Sequence, residues 1–303
     1  MEIEALSQDR RDEFLDFCRK HRADIDDSFL YEEDLAEFEL SEENPTYVAV
    51  NAQGTVIAAA SLILNDYNRR GRKGRFRIFQ ADTADQGIYQ ELLQAILPHT
   101  AGLDKLNIFV PAVNTRETKN MLAAGFAVER YSFLLVRDEE TVPDFSLPSG
   151  YEIKSFRPGS DEAVWCEVRN AGFAKLKGSE TPATPEMVTE MISGKDYIAN
   201  GLLILYHNGQ AVGIVRGADD DYEDSPIMNI GPLAVLPEYQ GKGLGRILLR
   251  AALRFAKDNA YTRTILCVNA ENERAKALYI GEGFKQAESA ACFAYDLTAK
   301  ENE

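Results

Sequence analysis

The sequence predicts an α/β fold made of two tandem copies of one unit, and three observations carry that prediction. Tyr47-Val-Ala-Val-Asn-Ala-Gln-Gly54-Thr-Val-Ile-Ala reappears as Leu202-Leu-Ile-Leu-Tyr-His-Asn-Gly209-Gln-Ala-Val-Gly, 155 positions later. Ile108-Phe-Val110, Asn114 and Gly125-Phe126 reappear as Leu266-Cys-Val268, Asn272 and Gly283-Phe284, 158 positions later. The third is the run Asn229 to Arg246, which joins a Gly-Pro-broken strand, a glycine turn and an amphipathic helix.

Composition bounds what such a chain does. At 303 residues with 45% apolar content it is long enough for two cores. The longest apolar run, Val56 to Leu64, falls well short of the roughly 20 residues that cross a bilayer. The start, Met-Glu-Ile-Glu-Ala, lacks the basic and apolar regions of a signal peptide, so a cytoplasmic protein off the membrane is expected. Cys18, Cys166, Cys267 and Cys292 are widely spaced with no Cys/His cluster, which points to a reducing compartment and no structural metal. A net charge of −16 disfavours nucleic acid as a partner.

In the first copy the charge is uneven. Residues 1–150 hold 16 Lys+Arg against 27 Asp+Glu, which leaves 17 against 22 for the rest. Asp24 to Glu43 concentrates the acids around Phe29, Tyr31 and Phe38, and reads as helix and loop with a solvated face. A sharper alternative makes it an acidic wall that attracts a cationic amine. Arg69 to Arg77, basic around two glycines, reads as an exposed hairpin tip between strands. Asp138 to Gly150, polar and proline-bearing after the strand-like Phe133 to Val136, reads as the seam between copies.

In the second copy, Gly231-Pro232 interrupts the apolar run of Ile227, Met228, Ile230, Leu233 and Val235. Proline donates nothing to a ladder, so a bulge or splayed edge is expected there. Leu244, Ile247, Leu248, Ala251, Ala252 and Phe255 fall on one helical stripe, so the helix begins within Gly241, Gly243 and Gly245. Its first turn offers unpaired N–H groups and the positive dipole end to an anion, with Lys242 and Arg246 at the rim. An ordinary turn is the bland alternative. Leu266 to Phe284 then reads as strand end, capping Asn272, short helix and glycine stop.

Together the two motifs resemble the GNAT family of acetyl-CoA-dependent N-acetyltransferases. Leu233-Ala-Val235 followed by Gln240-Gly-Lys-Gly-Leu-Gly245 matches one family pattern, and Asn272, Ala275, Leu278, Tyr279, Gly283 and Phe284 match the other. The resemblance covers most of the second half. It implies two GNAT-like α/β domains, each a mixed, mostly antiparallel, splayed sheet flanked by helices. It places a degenerate domain over 1–140 and a catalytic acetyl-CoA-binding domain over 150–303, a layout similar to that of the mycothiol synthases. The implied carrier contacts are Leu233, Ala234, Val235, Gln240, Gly241, Lys242, Gly243, Leu244, Gly245, Arg246, Asn272 and Tyr279, with no metal. Direct transfer to a primary amine of a small molecule or peptide is implied, with Tyr279 as the acid that protonates the leaving thiolate and a group near Val235 as oxyanion donor. A monomer or homodimer is expected.

Register against the first copy sets Asp85 opposite Gly241, Tyr89 opposite Gly245 and Met121 opposite Tyr279. A carboxylate and a ring at positions that need bare amides make the first copy a fold mate without a carrier site. The family's strand glutamate has no counterpart in Met228-Asn229-Ile230-Gly231. Asp219 to Asp224, Glu186, Glu190 or a water chain remain as bases. Asn272 reads equally as a helix cap, and Tyr279 as packing. His21, His99 and His207 lie away from both motifs and receive no role. A non-catalytic acyl-CoA sensor is the alternative function, and a dinucleotide oxidoreductase is weak because GxGxxG is absent.

Overall fold

A computed structural model describes residues 1–83, 85–139 and 141–298. Glu140, inside the expected seam, and Ala84, inside the stretch with Asp85, lie outside the described residues. The chain divides into two compact units, Met1–Ser132 with the chain from Ser289 onward, and Phe133–Glu288.

The first unit opens with β1 (Glu2–Ala5), α1 (Arg11–Lys20) and α2 (Glu32–Ala36). It continues through β2 (Thr46–Val50), β3 (Val56–Ile63), α3 (Asp66–Arg70), β4 (Lys73–Ala81), α4 (Gln86–Ile96), β5 (Lys105–Pro111), α5 (Thr115–Ala123) and the start of β6 (Ala127–Arg137). Strands β1 to β4 pair antiparallel in chain order, and β5 joins β4 in parallel. The second unit repeats the order. It comprises the end of β6, β7 (Tyr151–Ser155), α6 (Glu162–Phe173), α7 (Pro185–Ser193), β8 (Tyr197–His207), β9 (Gln210–Tyr222), β10 (Ser225–Val235), α8 (Leu244–Asp258), β11 (Thr264–Asn269), α9 (Glu273–Gly281) and the start of β12 (Lys285–Asp296). Here β7 to β10 are antiparallel and β11 lies parallel to β10. The mixed, mostly antiparallel sheet is as expected.

The unit boundaries differ from those expected along the chain. The final strand of the second copy belongs to the first unit, where Ala290 to Asp296 run antiparallel to β5. Correspondingly Phe133 to Arg137, the end of the first copy's final strand, belongs to the second unit, in which β6 neighbours β11. Each copy thus closes its sheet with the other copy's last strand. Local patterning has no access to this, because both strands carry the same alternation whichever sheet receives them.

The Arg69 to Arg77 segment is also not an exposed hairpin tip. It ends α3, turns, and enters β4, and its last two arginines point inward. Arg75 lies between the rings of Phe29 and Phe109, 4.7 Å from each centroid, and pairs with Asp26. Buried Arg77 donates to Phe29 O at 3.2 Å and Asn44 Oδ1 at 3.1 Å. Asp26 supplies the counter-charge for Arg75, while a carbonyl and an amide oxygen receive the guanidinium of Arg77. Several acids of Asp24 to Glu43 are likewise engaged, Asp27 with Arg22 at 3.2 Å and Glu32 with Arg19 at 3.1 Å.

Helix α8 positions the second unit's site. Its stripe is buried at Leu244, Leu248, Ala251 and Ala252, extended by Leu249, Leu253 and Ala256, and it packs on β9 and β10. The approach is close because β9 presents Gly213, where a Cβ would stand 2.8 Å from Leu248 Cδ1. Burying a leucine of this kind contributes about 2 kcal/mol. None of the described helices is long and apolar enough to cross a membrane.

Candidate active site

The site begins at β10. Its parallel pairing with β11 is confined to Met228 opposite Thr264 and Asn229 opposite Ile265. Its register against β9 shifts between Ile230 and Leu233, the bulge expected at Gly231-Pro232. Beyond that point β10 follows β9 alone and a gap opens on the β11 side. Leu236 N–H donates to Val212 O at 2.9 Å, so strand alternation turns Val235 N–H and C=O toward the gap. The Val235 carbonyl is taken by Gln240 Nε2 at 3.0 Å. Gln240 therefore staples the glycine loop to the end of the strand.

The loop then runs into α8. Gly241 and Gly243 both sit at φ +80°, the left-handed region where a Cβ costs about 1–2 kcal/mol, and open space surrounds a Cβ built at Gly243. Gly243 is the N-cap of α8, with no side chain capping it. Among the described residues, the backbone N–H groups of 241–245 have no hydrogen-bond partner. Five bare donors at the positive end of a fifteen-residue helix form an anion cradle. Lys242 Nζ lies 4.7 Å over the Tyr239 ring beside it. Arg246 is already engaged, since its N–H donates to Gly243 O at 3.1 Å and its Nε pairs with Glu282 at 3.0 Å.

His207, set aside from sequence, meets this loop through the fold. Its ring stacks on Tyr151 at 4.3 Å and its Nδ1 lies 3.2 Å from Tyr239 Oη, two residues before Gly241. The contact joins the edge strands to the loop across 32 positions of chain, a distance no local pattern spans.

Helix α9 supplies the other wall. Asn272 Oδ1 accepts from Ala275 N–H at 3.2 Å, the capping use of this residue. Tyr279 is 9% exposed, packs edge-on to Phe284 at 6.0 Å, and belongs to the cluster that contains Val235, Leu244 and Val268. Its hydroxyl has no hydrogen-bond partner among the described residues. Burial pushes its pKa up to about 12, so the group stays a protonated donor at neutral pH.

Of the acidic candidates, Asp219 accepts from Tyr261 Oη at 2.6 Å, while Asp220 accepts from Asn229 Nδ2 at 2.9 Å and from Asp221 N–H at 2.9 Å. Asp220 stands opposite Ile227, so it shares a sheet face with Asn229 at the last paired position before the gap. Among the described residues no group of three or more His, Cys, Asp or Glu is placed to hold a metal.

The first unit fills the corresponding positions. Asp85 Oδ1 accepts Gly87 N–H at 2.9 Å and caps α4. Tyr89 is fully buried, with its hydroxyl 2.7 Å from Gln80 Oε1 and 3.1 Å from Glu117 Oε2, and Asn120 Nδ2 donates to it at 3.1 Å. Burial and the Glu117 carboxylate raise the Tyr89 pKa.

Residues 173–284 match the model of the Acetyltransferase (GNAT) family. A mycothiol acetyltransferase from Paenarthrobacter aurescens is 30% identical over 211 residues, 66% of this chain and 63% of that protein. One from Acidothermus cellulolyticus is 26% identical over 221 residues, 69% of this chain and 67% of that protein. These matches span about two thirds of each relative. Two solved structures share the fold across 97% of the chain. A GCN5-related N-acetyltransferase from Sphaerobacter thermophilus has a TM-score of 0.70 at 18% identity, with 95% of that chain covered. A tandem GNAT protein from the clavulanic acid biosynthesis pathway has 0.67 at 15%, with 98% covered.

Proposed function

Because this chain is a tandem-domain protein of the GNAT acetyltransferase family, we propose that its second unit moves an acetyl group from acetyl-CoA directly to a primary amine of a small molecule or peptide. The observation that carries the reading is the set of bare N–H groups at 241–245, opening beside the β10/β11 gap. The cradle fits a pyrophosphate. Its donors are unpaired, its helix lacks a side-chain cap, and Gly243 leaves open space.

When bound, the carrier supplies an acetyl group activated as a thioester. Gly241, Lys242, Gly243, Leu244 and Gly245 hold its phosphates, Gln240 keeps that loop on the strand, and Leu233 to Val235 line the gap that receives its arm. The Val235 N–H donates to the acetyl oxygen as charge develops. Tyr279 Oη holds the proton that the departing sulfur needs, since burial keeps the hydroxyl protonated at neutral pH and no other group among the described residues accepts from it. Asn272 caps α9 through Oδ1, which leaves its Nδ2 to donate to the carrier. Asp220, held by Asn229, receives the acceptor's ammonium group and its proton. The first unit holds no carrier, because Asp85 and Tyr89 occupy the matching positions.

Calorimetry with coenzyme A tests this reading. One site per chain is expected, and Gly243→Asp abolishes it by setting a carboxylate among the phosphates. A stoichiometry near two refutes the claim for the first unit, and no binding refutes the whole. A sensor that binds without turnover is separated by thioester consumption against a panel of amines.

A further inference from the structure

Glu282 lies at the C-cap of α9, three residues after Tyr279, with its side chain 1% exposed. A carboxylate so buried needs compensation. Arg250 gives it two hydrogen bonds, Nε at 2.7 Å and Nη2 at 2.9 Å. Arg246, one helical turn closer to the glycine loop, pairs with Oε1 through Nε at 3.0 Å and keeps its side chain half exposed. The Nη groups of Arg246 make no hydrogen bond among the described residues. A guanidinium held by Nε presents its two Nη groups as a planar fork, the arrangement that chelates a phosphate.

The repeat provides an internal control. The offsets that align the copies set Glu282 against Ala124, Arg246 against Gln90 and Arg250 against Gln94. All three charges are absent from the copy whose cradle is filled. There Gln90 Nε2 donates to Ala123 O at 3.2 Å, a neutral contact in place of the ion pair. A device that only fastened the two helices together has no reason to vanish with the anion site.

We propose that Glu282 is a positioning residue that fixes the Arg246 guanidinium so that its free edge grips the carrier's phosphates. The inference rests on the acetyl-CoA reading above. Glu282 touches neither thioester nor amine, and its effect passes through Arg246 alone.

Calorimetry on the full chain with coenzyme A and with pantetheine, which lacks the phosphates, tests it. Glu282→Gln and Arg246→Gln each weaken coenzyme A by about tenfold, the scale of one charge-assisted contact. The double variant is no weaker than Arg246→Gln, and neither change alters pantetheine affinity. Arg250→Gln breaks the same cluster without releasing Arg246 and keeps coenzyme A affinity within about twofold. Additive losses, an equal loss toward pantetheine, or Arg250→Gln as damaging as Glu282→Gln overturns the proposal. If Glu282→Gln does not fold, Arg246→Lys decides. It keeps the cation but has no second nitrogen for the phosphate, so several-fold weaker binding is expected and unchanged binding overturns the proposal. Absence of coenzyme A binding by the wild-type chain overturns the functional reading itself.

Discussion

Tyr279→Phe is the most informative single change, because the surroundings of the hydroxyl separate catalysis from packing. The ring makes its contacts with Phe284 and the Val235 cluster, and phenylalanine keeps them. The hydroxyl has no partner among the described residues, so its loss breaks no hydrogen bond and leaves no buried group unsatisfied. Folding stability at neutral pH is therefore expected within about 0.5 kcal/mol of wild type. Turnover is expected to fall by about 10²-fold or more, close to 2.7 kcal/mol of barrier, with coenzyme A affinity unchanged within a few fold. The pH dependence gives an independent check. The folded pKa of about 12 lies above the unfolded value of 10.0, so stability is complete below pH 10 and declines as pH rises toward 12, where only the unfolded chain ionises. Tyr279→Phe removes that portion of the alkaline loss. Steady-state kinetics, calorimetry and denaturant melts at pH 7, 10 and 11 measure all three. Unchanged turnover with intact binding returns Tyr279 to a packing role, and an unchanged alkaline profile refutes the burial argument.

Other expectations follow from the same geometry. Asp220→Asn should lower kcat/KM for a cationic amine by at least tenfold without changing coenzyme A affinity; an unchanged kcat/KM removes Asp220 from the acceptor site. Gly245→Ala should fold normally, since its Cβ would meet Leu278 and Leu233 at 3.6 and 3.9 Å, and any lost affinity measured by calorimetry then reports how near the phosphates approach. Tyr89→Phe should destabilise the first unit by about 1–3 kcal/mol in denaturant melts through its buried Gln80 and Glu117 partners, and leave coenzyme A binding intact. Changing Glu32, Glu33 and Asp34 to Gln, Gln and Asn should leave the salt slope of kcat/KM as it is, because Glu32 is already paired with Arg19; a shallower slope restores the acidic-wall reading.

What could be read from the chain alone was whatever its neighbours along the chain determine. The α8 stripe, the bulge at Gly231-Pro232 and the Asn272 cap depend on residues a few positions apart, and each appears where periodicity and backbone chemistry place it. The same reasoning failed for Arg75 and Arg77. Their placement depends on Asp26, Phe29 and Asn44, more than thirty positions away, which draw the end of a basic run inward while Arg69, Arg70 and Arg72 stay exposed. His207 and Glu282 were overlooked for the same reason, since Tyr239 and the two α8 arginines meet them only across the fold. Asp220 was one acid among several until the strand register placed it beside Asn229.

The exchange of final strands has a consequence in time. The ribosome finishes residues 1–132 long before it reaches Ala290 to Asp296, which the first unit's β5 pairs with. At roughly 5–20 residues per second that interval lasts on the order of ten to thirty seconds. Throughout it β5 presents an open edge, while the second unit has had Phe133 to Arg137 in hand from its beginning. The copy made first is thus the copy completed last, and the half that carries the glycine loop is finished before the half that precedes it in the chain.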